Sequence, residues 1–253
     1  MTLQVPMISD HIQYSEADGI AEITICRPER RNALNGAMFE ALRACFDRFA
    51  EGEAKVAILA SGDDTIFSAG ADLTDPPEHF WRAVPEFGFT TDKPIIAAIG
   101  GKAIGAGLVL ALMCDFVVVG EDAELIYPEA KVGVAKGAVT ALVKRAPLRV
   151  ALEMMLTGEP VAARRAFDTG MVNRIVPAGQ HRAEARRMAG TLAANAPLVL
   201  QMLKRMSLDA IGGTPIQSFY DTNARVDRVM NSQDARDALE AFREKRKPVF
   251  HGR

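Results

Sequence analysis

Few residues in this sequence could cross-link a fold or ligate a metal. Three cysteines occur among 253 residues, an odd number with no CxxC spacing, and each lies within an apolar stretch (Cys26, Cys45 and Cys114). We therefore predict reduced, buried thiols, as expected in a reducing cytoplasm. The four histidines are far apart, which disfavours a zinc site and a serine-hydrolase triad. No resident metal is expected.

An excess of charge and a long apolar run are also lacking. The 30 basic and 32 acidic side chains nearly cancel, so the electrostatic footprint of a nucleic-acid-binding protein is missing and small molecules are the expected partners. No apolar run is both long enough and free enough of charge to span a bilayer. The first ten residues lack the basic and apolar regions of a signal peptide. These features predict a soluble, cytoplasmic protein without a membrane partner.

The remaining pattern is that of an α/β fold. An alternating stretch around Ala17-Asp18-Gly19 predicts a β-hairpin. Apolar residues at helical spacing follow, and Gly52 ends that helix. A continuous apolar run, KVAILAS at residues 55–61, then predicts a strand buried on both faces. The order of strand, helix and strand indicates an α/β core.

Helical patterns dominate the second half of the chain. Prolines fall near the predicted helix starts and glycines at the ends, and no strand-like run follows Val176. We therefore predict an α/β core over residues 1–177 and a helical region over residues 178–253. Residues 75–92 are rich in proline and aromatic residues and are predicted to form a mobile lid or a pocket wall, in which Trp81 is either a packing anchor or a ligand contact.

Residues 93–129 combine the features of an anion-binding site. An apolar strand is predicted at 94–99 and a second at 116–119, and between them lie a helix of small residues and a turn rich in glycine (Gly100, Gly101, Gly105 and Gly107). Glycines at a strand-to-helix junction let a ligand approach the backbone, and the first N–H groups of a helix have no partner within it. This turn is therefore predicted to hold a developing negative charge, with Glu129 at the end of the stretch.

A second glycine loop, FSAGADL around Gly70, has the same character. Neither loop matches a rival motif. The third glycine of a dinucleotide fingerprint and the GK[ST] of a phosphate-binding loop are missing, and Ser68 does not stand in a GxSxG elbow. Taken alone, each loop could reflect tight backbone packing.

Six short motifs in a fixed order connect these loops to a known family. They are RPERRNALN, FSAGADL, KPIIAAIGGKAIGAG, CD, YPEAKVG and FREKRKPVF. In order and spacing, over essentially the whole chain, they resemble the enoyl-CoA hydratase/isomerase, or crotonase, superfamily. The resemblance implies a spiral of ββα turns with a helical C-terminal trimerisation region, a homotrimer or a dimer of trimers, and acyl-CoA thioester substrates. It implies no cofactor, since CoA is part of the substrate.

The resemblance also implies roles for individual residues. The backbone N–H groups of Ala71 and Ala106 would hold the thioester oxygen. Phe242 and Lys245 match residues that reach the CoA of a neighbouring subunit, although a solvated helix end is an alternative for Lys245. The other residues implied to line the acyl-CoA site are Arg31, Ala33, Leu34, Ala69, Asp72, Leu73, Gly105 and Pro128.

The carboxylates separate the possible reactions. Glu129 matches one of the two glutamates with which family hydratases share a water, but Val109 occupies the position of the other. The acid at the end of that helix, Asp115, is predicted to be structural. We therefore predict that Glu129 alone moves a proton between carbons and shifts a double bond from the 3 to the 2 position.

Other interpretations stay open. Hydration with Glu129 acting alone is the nearest alternative. Decarboxylation and thioester hydrolysis also fit, because the scaffold stabilises an enolate without deciding its fate. A non-catalytic acyl-CoA-binding member and an RNA-binding member are further alternatives, of which the balanced charge disfavours the second.

Overall fold

The computed structural model describes residues 7–133, 139–211, 226–227 and 229–251. The strands in these residues are β1 (Met7–Ser9), β2 (Ile12–Ala17), β3 (Ile20–Ile25), β4 (Val56–Ser61), β5 (Ile66–Ser68), β6 (Ile95–Ile99), β7 (Lys102–Ile104), β8 (Phe116–Gly120), β9 (Glu124–Ile126), β10 (Val161–Ala162) and β11 (Arg174–Val176). The α-helices are α1 (Gly36–Glu51), α2 (Ala106–Leu112), α3 (Glu129–Val132), α4 (Val139–Arg145), α5 (Leu148–Thr157), α6 (Ala163–Asp168), α7 (His181–Ala194), α8 (Pro197–Ile211) and α9 (Gln233–Arg243). Short 3-10 helices cover Pro28–Arg30 and Phe80–Ala83.

The strands form two sheets, which confirms the α/β class. The larger sheet has seven strands in the order β1-β2-β3-β4-β6-β8-β11, antiparallel from β1 to β3 and parallel from β3 onward. The smaller sheet has four strands in the order β10-β9-β7-β5, and β10 alone pairs antiparallel. Three times in succession a strand of the larger sheet is followed by one of the smaller sheet, and a helix follows β7 and β9. The chain therefore winds in ββα turns.

The first predicted elements are confirmed. Asp18 and Gly19 both have left-handed backbone, with φ of 52° and 74°, and join β2 to β3 in the hairpin. The side chain of Asn35 accepts a hydrogen bond from the Met38 amide at 3.1 Å and so begins α1. Gly52 ends the helix, as predicted. The buried face of α1 consists of Met38, Phe39, Ala41, Leu42, Cys45, Phe46 and Phe49.

Strands β4 and β6 are buried along their whole length, and β8 is buried except for its first residue. These parallel strands lie at the centre of the larger sheet, which explains why their sequences are continuous apolar runs. All three cysteines are unpaired. Cys45 and Cys114 are buried as predicted, whereas Cys26 is half-buried. No helix in the described ranges combines the length and apolar character needed to cross a membrane.

The smaller sheet is a feature that the sequence does not predict. Its strands have two or three residues each, too few to show an alternating pattern. One of them, β7, occupies the middle of the predicted glycine turn. Just before it, Gly101 has φ of +57°, and a Cβ added there would lie 1.8 Å from the Thr65 carbonyl oxygen. A side chain at this position is therefore sterically excluded.

Residues 75–92 form a packed wall. Phe80 lies edge-on to Phe39 of α1 with ring centroids 5.9 Å apart, and Phe89 stacks on Phe46 at 5.1 Å. Trp81 is half-buried against the same core. These ring contacts anchor the segment to α1, so of the two predicted alternatives the packing supports a pocket wall and not a mobile lid.

The helical C-terminal region does not separate cleanly from the core. The last strand in the described residues ends at Val176, as predicted, but α7 packs on the larger sheet. Ala185 and Ala189 of α7 are fully buried and lie in one cluster with Val56 and Ile58. The packed core thus continues at least to the end of α7, beyond the predicted boundary at 177.

Helix α8 has no buried residue within this chain and exposes six large apolar side chains (Leu198, Val199, Met202, Leu203, Met206 and Ile211). The predicted trimerisation remains a prediction. The sequence pattern after Pro215 also predicts a helix, and this stretch falls largely outside the described residues.

We expect Ala185→Asp to destabilise the protein by about 3 kcal/mol or more, because it would bury an unpaired carboxylate between α7 and the sheet. Ala183→Asp is a matched control, since Ala183 is an exposed residue of the same helix. Urea unfolding followed by circular dichroism measures both changes. Equal effects of the two substitutions would show that α7 is not part of the core.

Candidate active site

The two glycine loops meet backbone to backbone. Gly70 has φ of +91°, and a Cβ added to it would lie 2.9 Å from the Ile104 carbonyl oxygen and 3.5 Å from the Ala106 amide nitrogen. On the other side of the contact, a Cβ on Gly107 would lie 2.5 Å from Cβ of Ser68. The distances of 2.9 Å and 2.5 Å are shorter than van der Waals contact allows, so each loop needs glycine to approach the other.

Two amide groups at this junction have no acceptor among the described residues. Ala106 is the first residue of α2, where no intrahelical acceptor exists. On either side of Ala71, the Leu34 amide donates to the Gly70 carbonyl at 2.7 Å and the Asp72 amide donates to the Leu34 carbonyl at 2.9 Å. Neither bond uses the N–H group of Ala71 itself. Ala71 and Ala106 line the same cavity. The predicted pair of donors is therefore brought together in one place.

A buried asparagine holds the first of these loops, and the sequence does not predict this role. Asn32 is 1% exposed. Its side-chain oxygen accepts from the Arg27 amide at 2.7 Å, and its side-chain nitrogen donates to Ser61 Oγ at 2.8 Å. Its carbonyl accepts from Ser68 Oγ at 2.8 Å. Asn32 has φ of 55°. Asparagine tolerates such left-handed backbone better than most residues, and this property is the signal within RPERRNALN that points to the role.

The cavity beside the two amides has a volume of about 230 Å³ and is mainly apolar. Val109 lines it although its side chain is otherwise fully buried. Glu129 is the one carboxylate among the described lining residues. Tyr127 contributes the other polar side chain and is not predicted from the sequence. The full lining is Ala69, Gly70, Ala71, Leu73, Pro76, Phe80, Ile104, Gly105, Ala106, Val109, Tyr127, Pro128, Glu129, Val132 and Phe242.

Glu129 begins the short helix α3 directly after Pro128, and its side chain turns toward the glycine loop. A Cβ on Gly105 would lie 3.2 Å from Glu129 Oε1. The other oxygen, Oε2, is buried and has no hydrogen-bond partner within the described residues. Burial in these apolar surroundings raises the pKa of Glu129 from 4.5 to about 8, even though a hydrogen bond from its own backbone amide opposes the shift. The group can therefore both take and return a proton near neutral pH.

Eight of the thirteen predicted site residues line the cavity: Ala69, Ala71, Leu73, Gly105, Ala106, Pro128, Glu129 and Phe242. The other five do not. Arg31 and Lys245 are exposed. Leu34 supports the first loop through its backbone, whereas the Ala33 carbonyl accepts a hydrogen bond from Arg27. The carbonyl of Arg31 accepts a hydrogen bond from the Ala69 amide at 3.0 Å, so Arg31 lies beside the cavity without entering it.

Asp72 differs from its predicted role as an acyl-CoA contact. It is 5% exposed and forms an ion pair with Arg27 at 2.9 Å. Burial acts to raise the pKa of Asp72, but hydrogen bonds from Thr74 and the Arg27 guanidinium outweigh it and lower the pKa below its ordinary value. The carboxylate thus anchors the loop. Its place in FSAGADL, next to Ala71, could not distinguish this role from contact with the substrate.

Phe242 lines the cavity of its own chain, whereas the resemblance places this residue at a neighbouring subunit's substrate. The cause is the packing of α9 on the segment after Glu129. A Cβ added to Gly133 would lie 2.7 Å from Cβ of Ala238, and also 2.7 Å from the ring of Phe250. The C-terminal helix therefore closes this end of the cavity from within the chain.

Asp115 has the structural role predicted for it. Its Oδ2 accepts hydrogen bonds from the Ile95 amide and from Lys204 Nζ, both at 2.8 Å. The Asp115 side chain is 14% exposed and that of Lys204 is 10% exposed. The pair ties the end of α2 to β6 and to α8, away from the cavity.

Comparisons with known proteins agree with this geometry. A profile of the enoyl-CoA hydratase/isomerase family matches residues 15–253. A carnitinyl-CoA dehydratase from Salmonella heidelberg (strain SL476) is 35% identical over 266 residues, covering 97% of this chain and 100% of the relative. Among solved structures, carnitinyl-CoA hydratase from Mycobacterium avium has a TM-score of 0.87 and 33% identity. Enoyl-CoA hydratase from Mycobacterium tuberculosis H37Rv has a TM-score of 0.74 and 31% identity. Each alignment covers 97% of this chain and 100% of the solved chain.

The fold is that of the crotonase superfamily, whose members process acyl-CoA thioesters. This chain belongs to the enoyl-CoA hydratase/isomerase family and is an enzyme of that family. The relatives above are named for hydration and dehydration, so the double-bond shift predicted from the sequence is not carried over from them.

We expect Gly70→Ala to lower the rate of enolate formation by about 10²- to 10³-fold, the usual effect of losing one oxyanion donor, because the new Cβ would push the Ala71 amide away from Ala106. Gly179→Ala is the matched control. Gly179 has φ of +78°, so the change costs similar backbone strain, but nothing lies within 4 Å of its added Cβ. Exchange of the C2 protons of butyryl-CoA for deuterium measures the rate. Equal rates in the two variants would contradict the oxyanion assignment.

Glu129 also makes stability depend on pH. Because its pKa is about 8 in the folded protein against 4.5 normally, the folded state keeps its proton between these values, and stability present below pH 4.5 is lost as pH rises through 8. At about 1.4 kcal/mol per pKa unit the loss amounts to a few kcal/mol. We expect Glu129→Gln to match the wild type most closely near pH 5 and to exceed its stability at pH 9. Urea unfolding at both pH values tests this, with exposed Glu121→Gln as control, and a gap that does not widen with pH would contradict it.

Proposed function

We propose that this enzyme uses Glu129 as its single acid/base group and shifts the double bond of a 3-enoyl-CoA to give the 2-enoyl-CoA. One observation carries the proposal. Among the described residues that line the cavity, Glu129 is the only carboxylate, and Val109 stands where the resemblance to hydratases places a second one. A single carboxyl group suffices to move a proton from one carbon to another, because the proton that it removes is the proton that it returns.

The reaction follows from the placement of three groups. The thioester oxygen accepts hydrogen bonds from the Ala71 and Ala106 amides. The Glu129 carboxylate takes a proton from C2, the C–H electrons delocalise onto that oxygen, and the resulting dienolate takes the proton back at C4. Each oxyanion donor typically contributes about 3 kcal/mol of transition-state stabilisation, and a positioned base about 10²- to 10⁴-fold in rate.

The apolar lining favours this path over hydration. Adding water across a double bond requires that the water be held and deprotonated while a second group protonates carbon. The apolar side chain of Val109 can neither hold a water molecule nor transfer a proton. Hydration or dehydration by Glu129 is the second candidate, and the names of the relatives in Salmonella heidelberg and Mycobacterium avium favour it.

We expect Glu129→Gln to abolish turnover of 3-hexenoyl-CoA while leaving its binding intact, because the amide keeps the shape of the side chain but cannot accept the proton. In the wild type, kcat/KM for this substrate should rise with pH and level off above about pH 8, since the carboxylate is the active form. Spectrophotometry of the conjugated product and calorimetry of binding provide the two measurements.

The same assays separate the alternatives. Rapid hydration of 2-hexenoyl-CoA without isomerisation of 3-hexenoyl-CoA would replace the double-bond shift by hydration. Unchanged turnover in Glu129→Gln would remove Glu129 from the mechanism. Binding of both thioesters with turnover of neither would make the protein a non-catalytic acyl-CoA-binding member of the family.

A further inference from the structure

Ser68 is a buried polar side chain to which the proposed mechanism gives no role. It ends β5, directly before the first glycine loop, and is fully buried. Its hydroxyl donates a hydrogen bond to the Asn32 carbonyl at 2.8 Å and accepts one from the Gly70 amide at 3.1 Å. The hydroxyl therefore connects the buried support of the loop with the residue that immediately precedes the Ala71 donor.

The amide of Gly70 is held differently from the other amides of its loop. Those of Ala69 and Asp72 donate to backbone carbonyls of residues 31–34, at 3.0 and 2.9 Å. The Gly70 amide donates instead to a side chain, that of Ser68. Glycine has the widest choice of backbone conformation, so its peptide depends most on an external bond to keep one orientation. The direction of the oxyanion amide that follows is therefore tied to this hydroxyl.

The same side chain also lies against the second glycine loop. A Cβ added to Gly107 would lie 2.5 Å from Cβ of Ser68 and 2.6 Å from its Oγ. Gly107 directly follows Ala106 in the first turn of α2. Ser68 thus packs on the residue before one oxyanion donor and on the residue after the other. An oxyanion is stabilised well only when its donors lie about 2.7–3.1 Å away, so the spacing of the two loops matters for the rate.

We propose that Ser68 is a positioning residue for the oxyanion pair. Its hydroxyl fixes the orientation of the Gly70 peptide, and its contact with Gly107 sets the distance between the two loops. Ser68 is not one of the described residues that line the cavity, so it acts through the two amides. The inference rests on the proposed function only in taking the Ala71 and Ala106 amides as donors to the thioester oxygen.

The first measurement is the exchange of the C2 protons of butyryl-CoA for deuterium. We expect Ser68→Ala to lower the maximal rate of exchange about tenfold, the effect of one neutral hydrogen bond, while the Kd for butyryl-CoA stays unchanged. The rate falls without a loss of affinity because the amides interact most strongly with the charged oxygen of the enolate. Ser68→Cys keeps a weak acceptor at the same position and should lose less.

Ser61→Ala is the matched control. Ser61 is also fully buried and belongs to the same polar network, but its hydroxyl bonds to the Asn32 side chain at 2.8 Å and to the Ile66 carbonyl at 2.9 Å. Both substitutions therefore remove a buried hydroxyl, and thermal unfolding should show similar losses of stability. The exchange rate should fall in Ser68→Ala alone.

The second measurement separates positioning from stability. Hydrogen bonds to a carbonyl oxygen weaken the C=O bond and lower its stretching frequency. Infrared difference spectroscopy of butyryl-CoA labelled at the thioester carbonyl should show this lowering in the wild type and in Ser61→Ala. In Ser68→Ala the frequency should move back toward that of the free thioester.

Two results would overturn the inference, namely a wild-type rate and carbonyl frequency in Ser68→Ala, or equal changes of both quantities in Ser61→Ala. A wild type that isomerises no 3-hexenoyl-CoA but still exchanges the C2 protons would remove the double-bond shift and leave the role of Ser68 intact. A wild type that binds butyryl-CoA without lowering its carbonyl frequency would remove the oxyanion pair, and the role of Ser68 with it. If Ser68→Ala does not fold, Ser68→Cys carries the same comparison.

Discussion

The close backbone contact between two loops is the constraint on which the site depends. Gly70 and Gly107 each leave no room for a side chain, and this lets the amides of Ala71 and Ala106 open into one cavity. Two adjacent parallel strands of the smaller sheet, β5 and β7, lead directly into the two loops and place them side by side. The buried polar network of Asn32 fixes the first loop.

The protonation state of Glu129 depends on how this cavity is built. A cavity walled by backbone and apolar side chains offers a carboxyl group little solvation, so Glu129 holds its proton to an unusually high pH. With Val109 in place of a second acid, no other described residue of the cavity wall carries a negative charge. The cavity thus combines two fixed backbone amides with one carboxyl group, that of Glu129, whose pKa is near neutral. This arrangement suits enolate chemistry.

The sequence predicts the parts of this site that depend on residue type and spacing. The sequence directly shows glycine at positions 70 and 105 and an acid after Pro128. The long buried strands appear in it as apolar runs. The smaller sheet is not visible, because three residues cannot express a period. The role of Asp72 is also hidden, since its ion pair with Arg27 joins positions 45 residues apart. Tyr127 is missed because the sequence does not show which side chains of the segment before Glu129 line the cavity.

The packing of α9 joins the C-terminal part of the chain to the cavity. Phe242 lines the same cavity as Ala71, Ala106 and Glu129, although it lies far from them in the sequence. A change that displaces α9 would therefore remove part of the cavity wall without altering the glycine loops or Glu129.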